Sequence, residues 1–308
     1  MPLYLSAADA DELLPADVAI AVVEAACARL AAGSVTAQAR RAAGAGGIRT
    51  ATGSVVDAEL DAAATESEAD SEAGRARVAC VLAGDGRATV AIVEGGLSRL
   101  AAGAASGAAA RRLARPGAAS VGLIGCGRQA RLQLAALRAA LPGLRDARAW
   151  CPTEARLRAF CDETGATPAS SAQEAARCDV VVTATTSRDP VLRGDWLRPG
   201  ALVCATGANA RDHRELDVAV LRQAAFVCCE TLEQARADAG DLVETVAAGV
   251  LDWLEVHELA DVVAGELVGR SRNDDVVVFK ASGAPHWSAA LGAELVGRAR
   301  DRGLGTAL

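Results

Sequence analysis

The sequence predicts an α/β chain in two parts: a doubly wound parallel sheet of the Rossmann type, and an α+β domain made by the N-terminal segment together with the C-terminal helix. Three observations carry this. From about residue 115 to 230, short apolar runs alternate with helical ones. Residues 120–130 pass from an apolar strand through Gly125, Gly127 and Ala130 straight into an Ala/Leu-rich helix. The first 110 residues instead carry a hairpin-like pair of runs and a long amphipathic helix.

Taken in order, residues 15–32 have the apolar spacing of a helix, ended near Gly33. The acidic, small-residue stretch 65–74 predicts a solvated loop. Runs 77–82 and 88–93 flank Gly84-Asp85-Gly86 and predict a β-hairpin. A helix over about 97–113, stopped before Pro116, connects the two parts. Strands follow at 121–124, 147–151, 179–184, 202–205 and 226–229, separated by helices that include 128–141 and 154–163, the alternation of a parallel sheet. Residues 288–302 predict a last helix that packs back on the first domain. The resulting boundaries are 1–114 with 284–308 for one domain and 115–283 for the other.

Composition narrows the function classes. At 308 residues the chain is long enough for two cores. Its 51% hydrophobic content is dominated by Ala and Val, and no run approaches the length of a membrane span. The N-terminus lacks the basic and apolar regions of a secretory signal, so a cytoplasmic location is expected. Nine cysteines, an odd number without metal-type pairs, fit reduced thiols, with adjacent Cys228 and Cys229 on opposite faces of a strand. A net charge of −7 with no basic run excludes nucleic acid as partner. Lys280 is the only lysine, and His213, His257 and His286 are the only histidines, so few groups remain for proton transfer. His257, on a helical stretch, reads as surface or core.

The glycine pattern has a definite chemistry. Gly125 permits a tight turn, Gly127 lets the backbone approach a pyrophosphate, and Ala130 allows close helix–strand packing, while the helix N-terminus offers free N–H groups to the phosphates. A nicotinamide dinucleotide is therefore expected, held by Gly125, Cys126, Gly127, Arg128 and Gln129, by Thr153 after the second strand, and by Thr185, Thr186 and Ser187 after the strand at 179–184. Trp150-Cys151-Pro152-Thr153 supplies neither the acidic residue that binds the ribose of NAD nor an arginine for the 2′-phosphate of NADP. NAD and NADP both stay open, with Arg128 and Arg156 favouring NADP.

Several segments together resemble the ornithine cyclodeaminase/mu-crystallin family: 114–130, 179–190, 197–200, Gly207-Ala-Asn209, Arg214-Glu-Leu-Asp217, Ala239-Gly-Asp241 and Phe279-Lys-Ala-Ser-Gly283. The resemblance implies a Rossmann domain inserted into a substrate-binding and dimerisation domain, and a homodimer. It also exposes departures. The family's arginine for the substrate carboxylate falls in a run that here reads Ala101-Ala102-Gly103-Ala104, and its first-domain lysine falls near Ala62. The cyclodeaminase aspartate falls at Asn209. Arg40, or equally Arg41, roughly matches a family arginine. Losing a bidentate clamp removes charged hydrogen bonds worth roughly 1.5–3 kcal/mol each, so an ordinary free α-amino acid is disfavoured as substrate.

The loop 207–213 follows a strand and lies at the carboxyl edge where such sheets bind ligands. Asn209, Asp212 and His213 are the catalytic candidates, His213 as proton carrier; the alternative has Asp212 capping a helix that begins near Arg214. Arg40, Lys280 and His286 are candidate substrate contacts. The leading reading is an NAD(P)-dependent oxidoreductase acting on a C–N bond, either an imine reductase or an amine or amino acid dehydrogenase, on a non-standard substrate of specialised biosynthesis. The second is a non-catalytic dinucleotide binder of the mu-crystallin type. A cyclodeaminase ranks third. No metal is expected.

Overall fold

The computed structural model describes residues 2–45, 48–71, 74–84, 89–283 and 285–308, with side chains described outside 39–45, 48–51, 69–71, 74–76 and 89. Its contacts divide the chain into one unit of 1–101 with 284–308 and a second of 102–283.

The first unit holds β1 (Leu3–Leu5), α1 (Ala7–Leu13), α2 (Ala16–Ala31), β2 (Val35–Ala45), β3 (Ile48–Asp57), β4 (Ala62–Ser71), β5 (Gly74–Ala83) and β6 (Thr89–Glu94). The helix α3 (Ser98–Leu113) starts there and runs into the second unit. The division inside α3, upstream of the junction drawn from sequence at 114/115, follows from packing: Gln133 Nε2 donates to the carbonyl of Ala102 at 3.1 Å. The sheet runs β15-β1-β6-β5-β4-β3-β2, where β15 is Thr306–Ala307. From β2 to β6 it is an antiparallel meander. One face buries Val55, Ala62, Ala64, Ala79, Val81, Ala91 and Val93, and α11 (Ser288–Arg302) lies on it against β4, β5 and α2.

The expected hairpin is present as β5 and β6, although its turn at 85–88 lies outside the described residues. The loop expected at 65–74 is corrected: residues 65–71 continue β4 and residue 74 begins β5, while 72–73 lie outside the described residues. Glu66 explains why an acidic stretch forms a strand. It shares the inward face with Ala62 and Ala64, is 7% exposed, and accepts from Leu97 N (2.7 Å), Ser98 N (2.8 Å) and Ser288 Oγ (2.8 Å). A carboxylate at the start of α3 answers donors that have no partner within the helix.

The second unit contains β7 (Ser120–Ile124), α4 (Arg128–Ala140), β8 (Asp146–Trp150), α5 (Glu154–Thr164), β9 (Thr167–Pro168), α6 (Ala172–Ala175), β10 (Val180–Thr183) and β11 (Leu202–Ala205). It continues with α7 (Val218–Arg222), β12 (Ala224–Cys229), α8 (Leu232–Asp238), α9 (Gly240–Ala247), β13 (Val256–Glu258), α10 (Leu259–Ala264) and β14 (Val276–Lys280). Its sheet has the order β13-β12-β14-β11-β10-β7-β8-β9, with every pairing parallel. Strand order reverses between β7 and β10, which makes their carboxyl ends the switch point where such sheets open a crevice. At the opposite edge Asp179 fastens the strand starts, accepting from Arg115 Nη2 (2.6 Å), Ala119 N (2.9 Å) and Ser120 Oγ (2.9 Å). Burial opposes its charge, but these donors outweigh burial and hold the carboxyl at about 2. His257 stacks on Phe226 with ring centroids 4.7 Å apart, on strand β13 and not on a helix. Among the described residues, no helix is long and apolar enough to cross a membrane and no cluster of side chains is arranged to hold a metal.

Candidate functional site

At the switch point Gly125 has φ +110°, and a Cβ there would lie 2.4 Å from the carbonyl oxygen of Ala184 at the end of β10. Only glycine permits that approach. Gly127, the N-cap of α4, has φ −87° and ψ −173°, and a Cβ on it would meet nothing within 4 Å. No side chain caps α4, so its first-turn N–H groups lack a side-chain acceptor, and Gln129 Nε2 is buried without a partner. Arg131 Nη1 donates to the carbonyls of Cys126 and Gly127 at 3.1 Å each, which pins the loop from the protein side. These features fit an anionic group such as a pyrophosphate. The Cys126 thiol is pushed up to about 12, first by burial and then by its hydrogen bond with Cys151, so it stays neutral. Thr153, the N-cap of α5, is exposed, and so are Arg128 on α4 and Arg156 on α5, while Glu154 is turned along its own helix to Arg158.

A second group of candidate residues is tied together by a carboxylate. Glu215, fully buried, accepts on Oε1 from Thr185 N (2.6 Å) and Thr185 Oγ1 (2.8 Å), and on Oε2 from Thr183 Oγ1 (2.9 Å) and Gly207 N (2.7 Å). The ends of β10 and β11 are thus joined through one side chain. Ser187 N donates in turn to Thr185 Oγ1 at 3.2 Å, and Thr186 stands exposed beside it. Burial raises the Glu215 carboxyl above its ordinary value, Lys280 counters that rise, and Asp241 adds to it. Asp241, at the first turn of α9, accepts from Glu215 N (2.7 Å) and Leu216 N (2.9 Å). Its other oxygen lies 3.1 Å from Lys280 Nζ, with both side chains excluded from solvent.

Loop 207–213 presents Asn209 to solvent. His213 Nδ1 is 2.9 Å from Asp212 Oδ1, and Asp212 is also 3.3 Å from Arg188. The hydrogen bond with His213 holds the Asp212 carboxyl below its ordinary value. The alternative role for Asp212 is corrected: the next helix begins at Val218, and Asp217 caps it by accepting from Val220 N at 3.0 Å.

The second unit therefore gathers residues 125–129, 185–187 and 207–213 at one edge of its sheet. Lys280, expected as a substrate contact, shares that end of the sheet and turns inward to Asp241, with both side chains buried. His286 belongs to the first unit, is 7% exposed, and has a buried Nδ1 without a partner. Burial lowers its imidazole to about 4, leaving it neutral. The side chains of Arg40 and Arg41 lie outside the described residues. Sequence reasoning assigned no role to Glu215, Asp241 or Thr183. The available signal was in plain view, since Glu215 and Asp241 sit inside segments that carried the family resemblance.

Residues 78–287 match the model of the ornithine cyclodeaminase/mu-crystallin family. An alanine dehydrogenase of Archaeoglobus fulgidus is 37% identical over 189 residues, 60% of this chain and 58% of that protein, so the chain spans about three fifths of this relative's length. The structure of Thermococcus litoralis Δ1-pyrroline-2-carboxylate reductase with NADH and L-proline superposes with a TM-score of 0.92 at 26% identity, covering 99% of this chain and 100% of that one. A dimeric archaeal alanine dehydrogenase with bound NAD superposes with a TM-score of 0.90 at 26% identity, covering 99% and 98%. With two thirds of its length matching the family model and a glycine turn and strand-end loops built as described, the chain belongs to the ornithine cyclodeaminase/mu-crystallin family.

Proposed function

We propose that the protein is an NAD(P)-dependent oxidoreductase acting on a C–N bond, reducing an imine or oxidising an amine in specialised biosynthesis. Its substrate lacks a free α-carboxylate, or presents it differently from an ordinary amino acid. The observation that carries the reading is the open space over Gly127 at an uncapped helix N-terminus, in a chain that has Ala101 and Ala62 where the resemblance expects an arginine and a lysine. The relatives named above are a dehydrogenase and a reductase, which supports it.

When bound, the nicotinamide donates or accepts the hydride. Residues 125–129 hold the pyrophosphate, and Thr185, Thr186 and Ser187 hold the ribose and ring side. Thr153 takes the adenosine side. NADP is the preferred form in this reading, because the end of β8 carries no carboxylate and Arg128 and Arg156, at the starts of the two flanking helices, are exposed. Asp212 holds Nδ1 of His213, which leaves Nε2 to exchange a proton with the substrate nitrogen. Asn209 offers its amide as a hydrogen-bond partner. Arg40 and His286 are kept in this reading as substrate contacts.

A homodimer is part of the same reading. Val56, Val78 and Leu82 are exposed on the face of the first unit's sheet opposite α11. The absorbance at 340 nm with NADPH or NADH and a panel of cyclic imines tests the activity. Turnover of an imine supports it. Tight dinucleotide binding with no turnover of imines, ketones or amines selects instead the non-catalytic binder, which the missing arginine favours. Ornithine-dependent release of ammonia at catalytic rates overturns both.

A further inference from the structure

Within the first unit, α2 and α11 leave between them a cavity of about 380 Å³ that no step above uses. That volume falls in the range of small-molecule sites, roughly 300–1,000 Å³. Val22 and Ala25 of α2, Leu60, and Ala290 and Ala293 of α11 give it an apolar wall. Arg29, Glu294, Arg298 and Asp301 bring charge to the same cavity.

The two arginines are held alike. Arg29 Nε donates to Asp57 Oδ2 at 2.8 Å, and Arg298 Nε donates to Glu294 Oε1 at 2.6 Å. Neither Nη atom of either side chain hydrogen-bonds to a described residue, and none of the four is sealed from solvent. Each guanidinium is therefore fixed by one edge and keeps its terminal donors for something else. Because each already faces a carboxylate on its Nε edge, a bare anion finds no unpaired cation here.

Asp301 supplies the opposite chemistry. It is exposed, makes no hydrogen bond or ion pair with a described residue, and lies in the last turn of α11, where the helix dipole disfavours a carboxylate. A cation beside it relieves that placement. Gly297 supplies room: it stands inside α11, and a Cβ on it would meet nothing within 4 Å, so no neighbour demands a glycine that a helix interior otherwise disfavours.

We infer that this cavity binds a free amino acid with a short apolar side chain. Its carboxylate takes the terminal donors of Arg29 and Arg298, its ammonium faces Asp301, and its side chain lies against Val22, Ala25 and Leu60 in the room left at Gly297. The site goes beyond the proposed oxidoreductase reaction. It lies wholly in the first unit and needs no dinucleotide.

Calorimetry and thermal melts on the whole chain test this with L-alanine, L-valine and L-leucine. Isobutylamine, isovalerate and inorganic phosphate serve as the singly charged comparisons. Wild-type protein should bind at least one of the amino acids saturably, and each comparison about tenfold more weakly or worse. Gly297→Leu fills the room and Arg298→Gln removes one guanidinium from a half-buried surface position. Each should weaken amino acid binding by about tenfold or more, with the circular dichroism spectrum unchanged. Absence of saturable binding in the wild type overturns the inference, as does binding undiminished in both variants, which places the amino acid elsewhere. Isovalerate or phosphate bound as tightly as the amino acid overturns it in favour of a plain anion site, and isobutylamine bound as tightly overturns it in favour of a cation site. Should Gly297→Leu fail to fold, Arg298→Gln with Asp301→Asn decides, by the same tenfold criterion. A protein that binds no dinucleotide removes the proposed function and leaves every one of these outcomes readable.

Discussion

The carbonyl oxygen of His213 would lie 2.1 Å from a Cβ on Gly240, the first residue of α9. The carbonyls of Ala210 and Arg211 would lie at 2.7 and 2.9 Å from the same atom. The loop that carries Asn209, Asp212 and His213 is thus seated directly on a helix start. Gly240→Ala should push this loop outward and lower kcat at least tenfold, while dinucleotide affinity, assigned to residues 125–129 in the proposed function, should change little. Steady-state kinetics beside a dinucleotide titration check this. An active enzyme with unchanged kcat would show that the loop does not position the reacting groups.

The two glycines of the turn should separate binding from folding. Gly127→Val places a side chain into the open space that the proposed function gives to the pyrophosphate, so it should abolish dinucleotide binding and leave the melting temperature nearly unchanged. Gly125→Ala should instead destabilise by more than about 1 kcal/mol, since φ +110° is strained for any L side chain and the Ala184 carbonyl blocks its Cβ. Calorimetry and thermal melts of the pair read the two effects. Gly127→Val protein that binds as tightly as the parent places the cofactor elsewhere.

The second unit was legible in sequence because its strands are continuous apolar runs and its turn residues are glycines with one geometric use. The strands expected at 121–124, 202–205 and 226–229 fall within β7, β11 and β12. The meander of the first unit was not legible over 35–71. Its inward positions include Ala62, Ala64 and Glu66, so alternation is carried by small and even acidic side chains, and the hydrophobic period of a strand is absent. Glu66 and Glu215 mark the same limit. A carboxylate buried by helix starts and strand ends looks, in sequence, like a solvated one, because its donors come from residues distant along the chain.

Acid should weaken the units in separate windows. The imidazole of His286 is lowered by burial to about 4 in the folded protein, below its ordinary value of 6.5. Between these values the unfolded chain takes up a proton that the folded chain refuses, so this contribution is complete above pH 6.5 and falls by about 3 kcal/mol as pH drops to 4. Asp179 acts lower: held at about 2 against an ordinary 3.8, it stabilises above pH 3.8 and loses that contribution as pH falls through 2. In urea titrations, His286→Asn should flatten the stability slope between pH 6.5 and 4, and Asp179→Asn should not. A slope unchanged in His286→Asn would mean that the imidazole is not buried neutral.

The outer face of the first unit's sheet makes the last prediction. Val56 pairs across β4 with Ala63, and Ala63 with Leu82 of β5, so one row of small and apolar side chains crosses three strands. Val56 and Leu82 are 53% and 47% exposed, while Val55 and Val81 on the opposite face are buried. Exposed apolar positions grouped on one sheet face mark an association surface. Sedimentation should report a dimer at micromolar concentration, and the double substitution Val56→Lys with Leu82→Lys should yield a monomer that still binds dinucleotide, since residues 125–129 belong to the other unit. Cys80 gives an independent readout: it is exposed within the single chain and pairs with Thr65 on this face. Its thiol should label slowly in the wild-type dimer and rapidly in the double variant. A wild-type monomer, or equally fast labelling in both proteins, would mean that this face is not where two copies meet.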